Sequence, residues 1–232
     1  MTSSSSTDRS SVYYGRDNVS SIEVVDKSES THHTYNVYYY EDKIYTTVTH
    51  TAFVVDKWIA DVYSELHEKN LNNLGVGLDM EWTRVTENQV AVLQLCLSGR
   101  CLIFQISCCD KIPKSLDAFL SDERIIFFGA GKDMVPKLLE DHGLKVSRIA
   151  ELGCLAAYRF TNNFVDFRES RFHAAGLTTL AKKILSQELP GQRYIEMSNW
   201  DKEFLSDEQI EYACLNAFVA FKIATYLFDE SH

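Results

Sequence analysis

The 232-residue chain has no run approaching the about 18 consecutive apolar residues that a transmembrane helix needs, so no membrane is expected among its partners. Its first residues, Met1-Thr-Ser-Ser-Ser-Ser-Thr7, lack the apolar stretch of a secretory signal. No two of the six cysteines form a Cys-x-x-Cys pair, which removes the usual frame for structural zinc. The vicinal Cys108-Cys109 is a poor frame for a disulfide, and most of the cysteines sit in apolar runs. Reduced core thiols in a cytoplasmic or nuclear protein are the expectation. Basic residues are scarce: 23 Lys and Arg face 33 Asp and Glu, a net charge of −10. A whole-surface grip on duplex nucleic acid is not expected from that balance. Nucleic acid, if bound, has to be held at a local site where metal ions supply positive charge. There is no internal repeat.

What remains is a globular composition, 45% hydrophobic and 24% charged, at a length that suits one α/β domain. Residues 1–20 are Ser/Thr-rich and aperiodic, and read as a disordered arm before a single domain at 21–232. Thr34–Tyr40, with four tyrosines, and the β-branched Ile44–His50 predict two strands joined by a turn at Glu41-Asp42-Lys43. Asp56 is placed to cap a helix in which Trp58, Val62 and Leu66 recur every four residues. Leu74-Gly-Val-Gly-Leu-Asp-Met-Glu-Trp82 reads as a buried strand. Val90–Leu97 and Cys101–Ile106 read as a hairpin turning at Ser98-Gly99-Arg100.

A short helix from Pro113 and an apolar strand at Ile125–Phe128 come next. A helix to about His142 follows, stopped by Gly143. Three further helical patterns precede the last helix. Ser206-Asp-Glu-Gln209 is a capping box, and Ile210, Ala213, Cys214, Ala217, Ala220, Phe221 and Ala224 form its apolar stripe. Strand meander, alternating elements, then helices predict a mixed β-sheet flanked by helices, in the α/β class.

Asp79 and Glu81 stand out chemically. At i and i+2 of an apolar strand they share one face, where two carboxylates repel and lose hydration. A divalent cation is the simplest compensation; a solvated strand end is the alternative. Tyr212 and Asn216, at i and i+4, meet on one helical face, as a site or as a polar shoulder of the core stripe. Asp133 follows Gly129-Ala-Gly131 at a strand-to-helix junction, where a carboxylate is favoured by the helix dipole.

Taken together, Gly77-Leu-Asp-Met-Glu-Trp82, Gly129-x-Gly131 and Tyr212-Ala-Cys-Leu-Asn216 resemble the three motifs of DEDDy-type 3′–5′ exonucleases. The resemblance is to the Werner-syndrome-exonuclease-like branch, with the plant RISC-interacting clearing exoribonucleases most similar. Leu93-Gln-Leu-Cys96, Cys101-Leu-Ile-Phe-Gln105 and Met197-Ser-Asn-Trp200 carry it further, over roughly residues 50–230. It implies a ribonuclease H-like fold and two Mg²⁺ or Mn²⁺ ions that activate water for phosphodiester hydrolysis. Asp79 would bridge both ions, Glu81 would bind the ion carrying the water, Tyr212 would orient that water, and Met80 and Trp82 would touch substrate. The implied partners are single-stranded RNA or DNA, further copies of the chain in a homo-oligomer such as a hexameric ring, and a small-RNA silencing complex.

Two positions depart from the family pattern. Its third motif ends in Asp where this chain has Asn216, which offers a carbonyl oxygen but no charge. Its second-motif Asp, counted from Gly131, falls on Val135, and counted back from Lys137-Leu138 falls on Met134. The nearest carboxylate, Asp133, is up to two residues away, about 200° on a regular helix, so it reaches the site only in a rebuilt loop. The expectation is a slow exonuclease or a catalytically impaired homologue that binds nucleic acid or forms oligomers.

Overall fold

A computed structural model of the chain describes residues 13–14, 19–68, 74–83, 89–131, 134–160, 171–190 and 193–229. The strands are β1 (Tyr13–Tyr14), β2 (Ser20–Asp26), β3 (His32–Tyr39), β4 (Asp42–Thr49), β5 (Leu74–Trp82), β6 (Val90–Leu97), β7 (Arg100–Phe104), β8 (Ile125–Gly129) and β9 (Ile149–Glu151). They form one nine-stranded sheet in the order β1-β2-β3-β4-β7-β6-β5-β8-β9. β5, β6 and β7 are an antiparallel meander, β8 and β9 add in parallel at one side, and β4 pairs in parallel with β7 at the other. The mixed sheet of the α/β class is thus as expected.

Helices cover both faces. α1 (Ala52–Glu68), α2 (Lys114–Ser121) and α3 (Met134–His142) close one core against Val76, Leu78 and Leu93. α4 (Leu152–Phe160), α5 (Leu177–Leu180) and α7 (Asp207–Phe228) close the other; α6 (Arg193–Glu196) is a single turn before α7. Burial from both sides explains β6, whose eight residues are all buried and read as an almost unbroken apolar run. The β6–β7 turn needs the left-handed region at Ser98 (φ 45°) and Gly99 (φ 78°), which is why glycine stands there.

α7 is long and apolar enough to cross a bilayer, a property of its average composition that a search for uninterrupted apolar runs overlooks. In the fold it is the central core helix, with 67% of that apolar window buried. Its capping box forms as read: Gln209 N donates to Ser206 Oγ at 3.3 Å, and Ser206 N to Gln209 Oε1 at 3.0 Å. Gln209 Nε2 also donates to Asn199 O and Ser198 Oγ, both at 2.9 Å, which ties Met197-Ser-Asn-Trp200 to the start of the helix. The six cysteines are free thiols, with Cys96, Cys101 and Cys214 buried.

Several local readings are corrected. Ser20–Asp26 is a strand, and Tyr13–Tyr14 pairs with it, so part of the Ser/Thr-rich segment joins the sheet; residues 1–12 and 15–18 lie outside the described residues. The β3–β4 hairpin turns at Tyr40-Glu41, with Tyr40 at φ 52°, and Asp42 is already in β4. Asp56 is not a cap. α1 begins four residues earlier, its Ala52 N–H is met by Asp110 Oδ1 at 2.9 Å, and Asp56 accepts from Ser115 Oγ instead. The side chain of Leu66 lies outside the description.

One contact fixes the layering. A Cβ built on Gly77 would stand 1.9 Å from Ala217 O and 2.8 Å from Phe221 N, so the backbone of α7 lies directly on β5. Neither atom is the end of a flexible side chain, so a methyl group there has to push the helix off the sheet. Gly77→Ala is expected to cost about 3 kcal/mol or more, at the top of the overpacking range. A thermal melt within a degree or two of the wild type would overturn that expectation.

Candidate active site

β5 alternates. Leu74, Val76, Leu78 and Met80 enter the core under α1–α3, while Gly77, Asp79 and Glu81 point toward α7. Two residues of a strand advance about 6.6 Å and four residues of a helix about 6 Å, so the two elements stay in step. Running antiparallel to β5, α7 places Ala217 over Gly77, Asn216 at Asp79 and Tyr212 toward Glu81. The β5–β6 register slips beside this point: Glu81 pairs with Val92 and Trp82 with Val90, leaving Ala91 as the extra residue of a bulge.

These side chains form the floor and one wall of a cleft of about 630 Å³. Leu177, Thr178, Leu189 and Pro190 also line it, with Arg193 and Glu196 of α6. Met80 and Trp82 also line the cleft. Met80 is only 3% exposed, so most of its side chain serves the core. Asp133 lies outside the described residues; its neighbour Met134 lines the cleft.

The floor gathers negative charge. Burial pushes the Asp79 carboxyl up to about 6, and the charge of Glu196 adds to the effect. The Met80 N–H and the Asn216 amide donate to the carboxylate and pull the other way. Glu81 is buried at 3% exposure. Tyr212 is held well above its ordinary value, first by burial and then by the charge of Glu81, so its hydroxyl keeps its proton at any physiological pH. Its ring stands 6.2 Å from that of the fully buried Trp200, whose Nε1 donates to Glu196 O at 3.3 Å. The Met197–Trp200 segment therefore anchors the tyrosine from behind.

Asp79, Glu81, Tyr212 and Asn216 are thus brought together. Sequence reasoning missed Arg193 and Glu196. Both sit just ahead of Met197–Trp200, the motif that anchors Tyr212, but nothing in their spacing announced a one-turn helix facing the carboxylates. The donor set of two carboxylates and an amide oxygen suits a hard divalent cation, and the raised Asp79 carboxyl is what such a cation would relieve. Among the described residues no three His, Cys, Asp or Glu side chains gather closely enough to hold a metal ion. The chemistry of the Asp79–Glu81 pair therefore fits a hard divalent cation.

An antiparallel meander extended in parallel by two strands, with carboxylates on its first strand and a polar helix face above them, defines a ribonuclease H-like exonuclease domain. The chain belongs to the 3′–5′ exonuclease family, whose model matches residues 56–231. It is similar to the bifunctional 3′–5′ exonuclease/ATP-dependent helicase WRN of Mus musculus, 32% identical over 149 residues, which are 62% of this chain and 10% of that protein. It is also similar to a 3′–5′ exonuclease of Arabidopsis thaliana, 28% identical over 188 residues, 77% of this chain and 62% of that one. The chain thus spans from a tenth to about three-fifths of the length of these relatives. Two solved structures share the fold. Escherichia coli RNase D has a TM-score of 0.56 at 20% identity, over 72% of this chain and 42% of that one. The Aedes aegypti Nibbler EXO domain has a TM-score of 0.60 at 17% identity, over 78% and 85%.

The raised Asp79 carboxyl has a sign that can be worked out. Between about pH 4 and pH 6 the folded state binds a proton that the unfolded state has lost, so stability contributed by this group falls as pH rises through that window and stays lower above it. In EDTA, Asp79→Asn is expected to be more stable than the wild type at pH 7, by about 2 kcal/mol, and to converge with it near pH 4. Denaturant unfolding at both pH values checks this; equal stabilities at pH 7 would contradict it.

Proposed function

We propose that the chain is a metal-dependent 3′–5′ exonuclease that removes nucleotides from unpaired 3′ ends, with single-stranded RNA as its substrate in preference to DNA. The observation that carries this reading is the buried Asp79–Glu81 pair on the cleft floor beneath Tyr212. Asp79, Glu81, the Asn216 carbonyl and, through a rebuilt loop, Asp133 would hold Mg²⁺ or Mn²⁺. When bound, the ions supply an activated water and charge stabilisation of the leaving oxygen. Tyr212 donates its retained proton as a hydrogen bond that orients the attacking water. Among the described residues, Arg193 is the cationic side chain that lines the cleft, and it meets the substrate's phosphate. Trp82, Leu177 and Pro190 offer apolar surfaces for a base or ribose. With a net charge of −10, attraction for nucleic acid is confined to this cleft.

Asn216 favours a second reading, a homologue that binds nucleic acid but turns it over slowly or not at all. Exchange for Asp restores a fourth charge without adding bulk. Incubating a 3′-labelled single strand with Mn²⁺, we expect slow digestion by the wild type and at least about tenfold faster digestion by Asn216→Asp. Equal and robust digestion by both would show that position 216 is not limiting. Digestion by neither would put the binding reading ahead.

Arg193 has its own signature. In a titration of single-stranded RNA against salt, Arg193→Ala is expected to weaken binding and to lower the slope of log K on log salt by about 0.7, the loss of one phosphate contact. An unchanged slope would remove Arg193 from the substrate path. We further propose, from the likeness to the plant clearing exoribonucleases, a homo-oligomer, with a ring of six as the form the resemblance implies. It would act with a small-RNA silencing complex in the cytoplasm or nucleus. Val25, Tyr40 and Tyr45, exposed on the N-terminal strands, are the surface offered to a second copy, and light scattering decides the assembly.

A further inference from the structure

β6 reads Val90-Ala-Val-Leu-Gln-Leu-Cys-Leu97, and Gln94 is its one amide in an otherwise apolar, fully buried strand. Gln94 is 0% exposed, and among the described residues neither its Oε1 nor its Nε2 has a hydrogen-bond partner. A buried amide left unpaired on both atoms destabilises the fold relative to an apolar residue of the same shape. Its neighbours give no reason for an amide on one side, where Ile103 of β7 stands in register. On the other side its register partner is Asp79. Side chains directly opposite in an antiparallel pair share a face, with Cβ atoms about 4.5–5.5 Å apart, a gap that a glutamine side chain spans.

We propose that Gln94 is a positioning residue for Asp79: its Nε2 donates to the Asp79 carboxylate when that carboxylate turns to a bound divalent cation. The inference rests on reading the cleft as a metal-dependent nuclease site. In the structure, Asp79 takes its donors from the Met80 N–H and the Asn216 amide. Asn216 is also the residue that offers a carbonyl oxygen to the cation. Turning it to that task withdraws its N–H from Asp79, and a carboxylate with one oxygen on a cation still accepts on the other. Gln94 is the unspent donor beside it. A hydrogen bond of this kind, from behind a ligand, fixes the ligand's orientation and raises cation affinity.

The test uses the full chain and Gln94→Met, which keeps length and volume and removes the amide. By titration calorimetry with Mn²⁺, the variant's dissociation constant is expected to rise about tenfold or more. Its melting temperature in EDTA is expected to stay level or rise, because the unpaired amide is gone. A packing role alone would do the reverse, lowering the melting temperature and leaving Mn²⁺ affinity unchanged. That result would overturn the proposal while leaving the nuclease reading intact. In the wild type, the Gln94 side-chain NH₂ resonances, assigned through its own backbone signals, are expected to shift when Mg²⁺ is added; unmoved resonances would also overturn the proposal. A wild type that binds no Mn²⁺ at all would overturn both this inference and the reading of the cleft.

Discussion

The close approach of α7 to β5 at Gly77 is the constraint from which the rest of the site follows. Because the helix backbone rests on the strand with no side chain between them, the helix cannot rotate or slide without collision. The matched rise of strand and helix then sets each α7 residue over a definite β5 residue, and the cleft opens where the carboxylates replace glycine. The same contact explains the alanines of the α7 stripe. Ala213, Ala217 and Ala220 are all fully or almost fully buried, and larger side chains there would lift the helix.

Charge is distributed in the opposite way from packing. The two cores are built from buried apolar side chains, whereas the cleft gathers Asp79, Glu81 and Glu196 with Arg193 as the counter-charge among the described lining residues. A site built like this is poorly balanced by itself and well suited to a partner that brings positive charge. Asn216 moderates the imbalance by donating to Asp79. A carboxylate at position 216 would add charge for a cation but would lose this donor to Asp79, so stability and activity would draw on the same residue.

The strand carrying Asp79 and Glu81, the β6–β7 hairpin and the capped last helix were legible because each has a strong local signal: same-face carboxylates, a glycine turn, a capping box. So were Tyr212 and Asn216, whose spacing of four puts them on one helical face. β2 was not, since its apolar residues, Ile22, Val24 and Val25, do not alternate cleanly and the strand is set in a serine-rich segment. The start of α1 was missed because its first N–H is satisfied by Asp110, which is far away in sequence. Glu196 and Arg193 were missed for a similar reason: a one-turn helix has no periodicity, and only tertiary packing turns it toward the carboxylates. Gln94 was visible as a letter in a motif, but its isolation could only be seen once both flanking strands were in place.

The N-terminal strands bear on where this protein can be cut. The family match begins at residue 56, yet Tyr35, Val37, Tyr39 and Ile44 of β3 and β4 belong to the same core as α7. Tyr39 meets Phe218 edge-on at 6.4 Å, and β4 supplies the hydrogen-bond ladder along the outer side of β7. A boundary drawn from homology alone would pass through the hydrophobic interior. It would bare one flank of the helix that carries Tyr212 and Asn216, and leave β7 as a raw sheet edge open to pairing with other chains. For this protein, the evolutionary unit and the folding unit do not coincide.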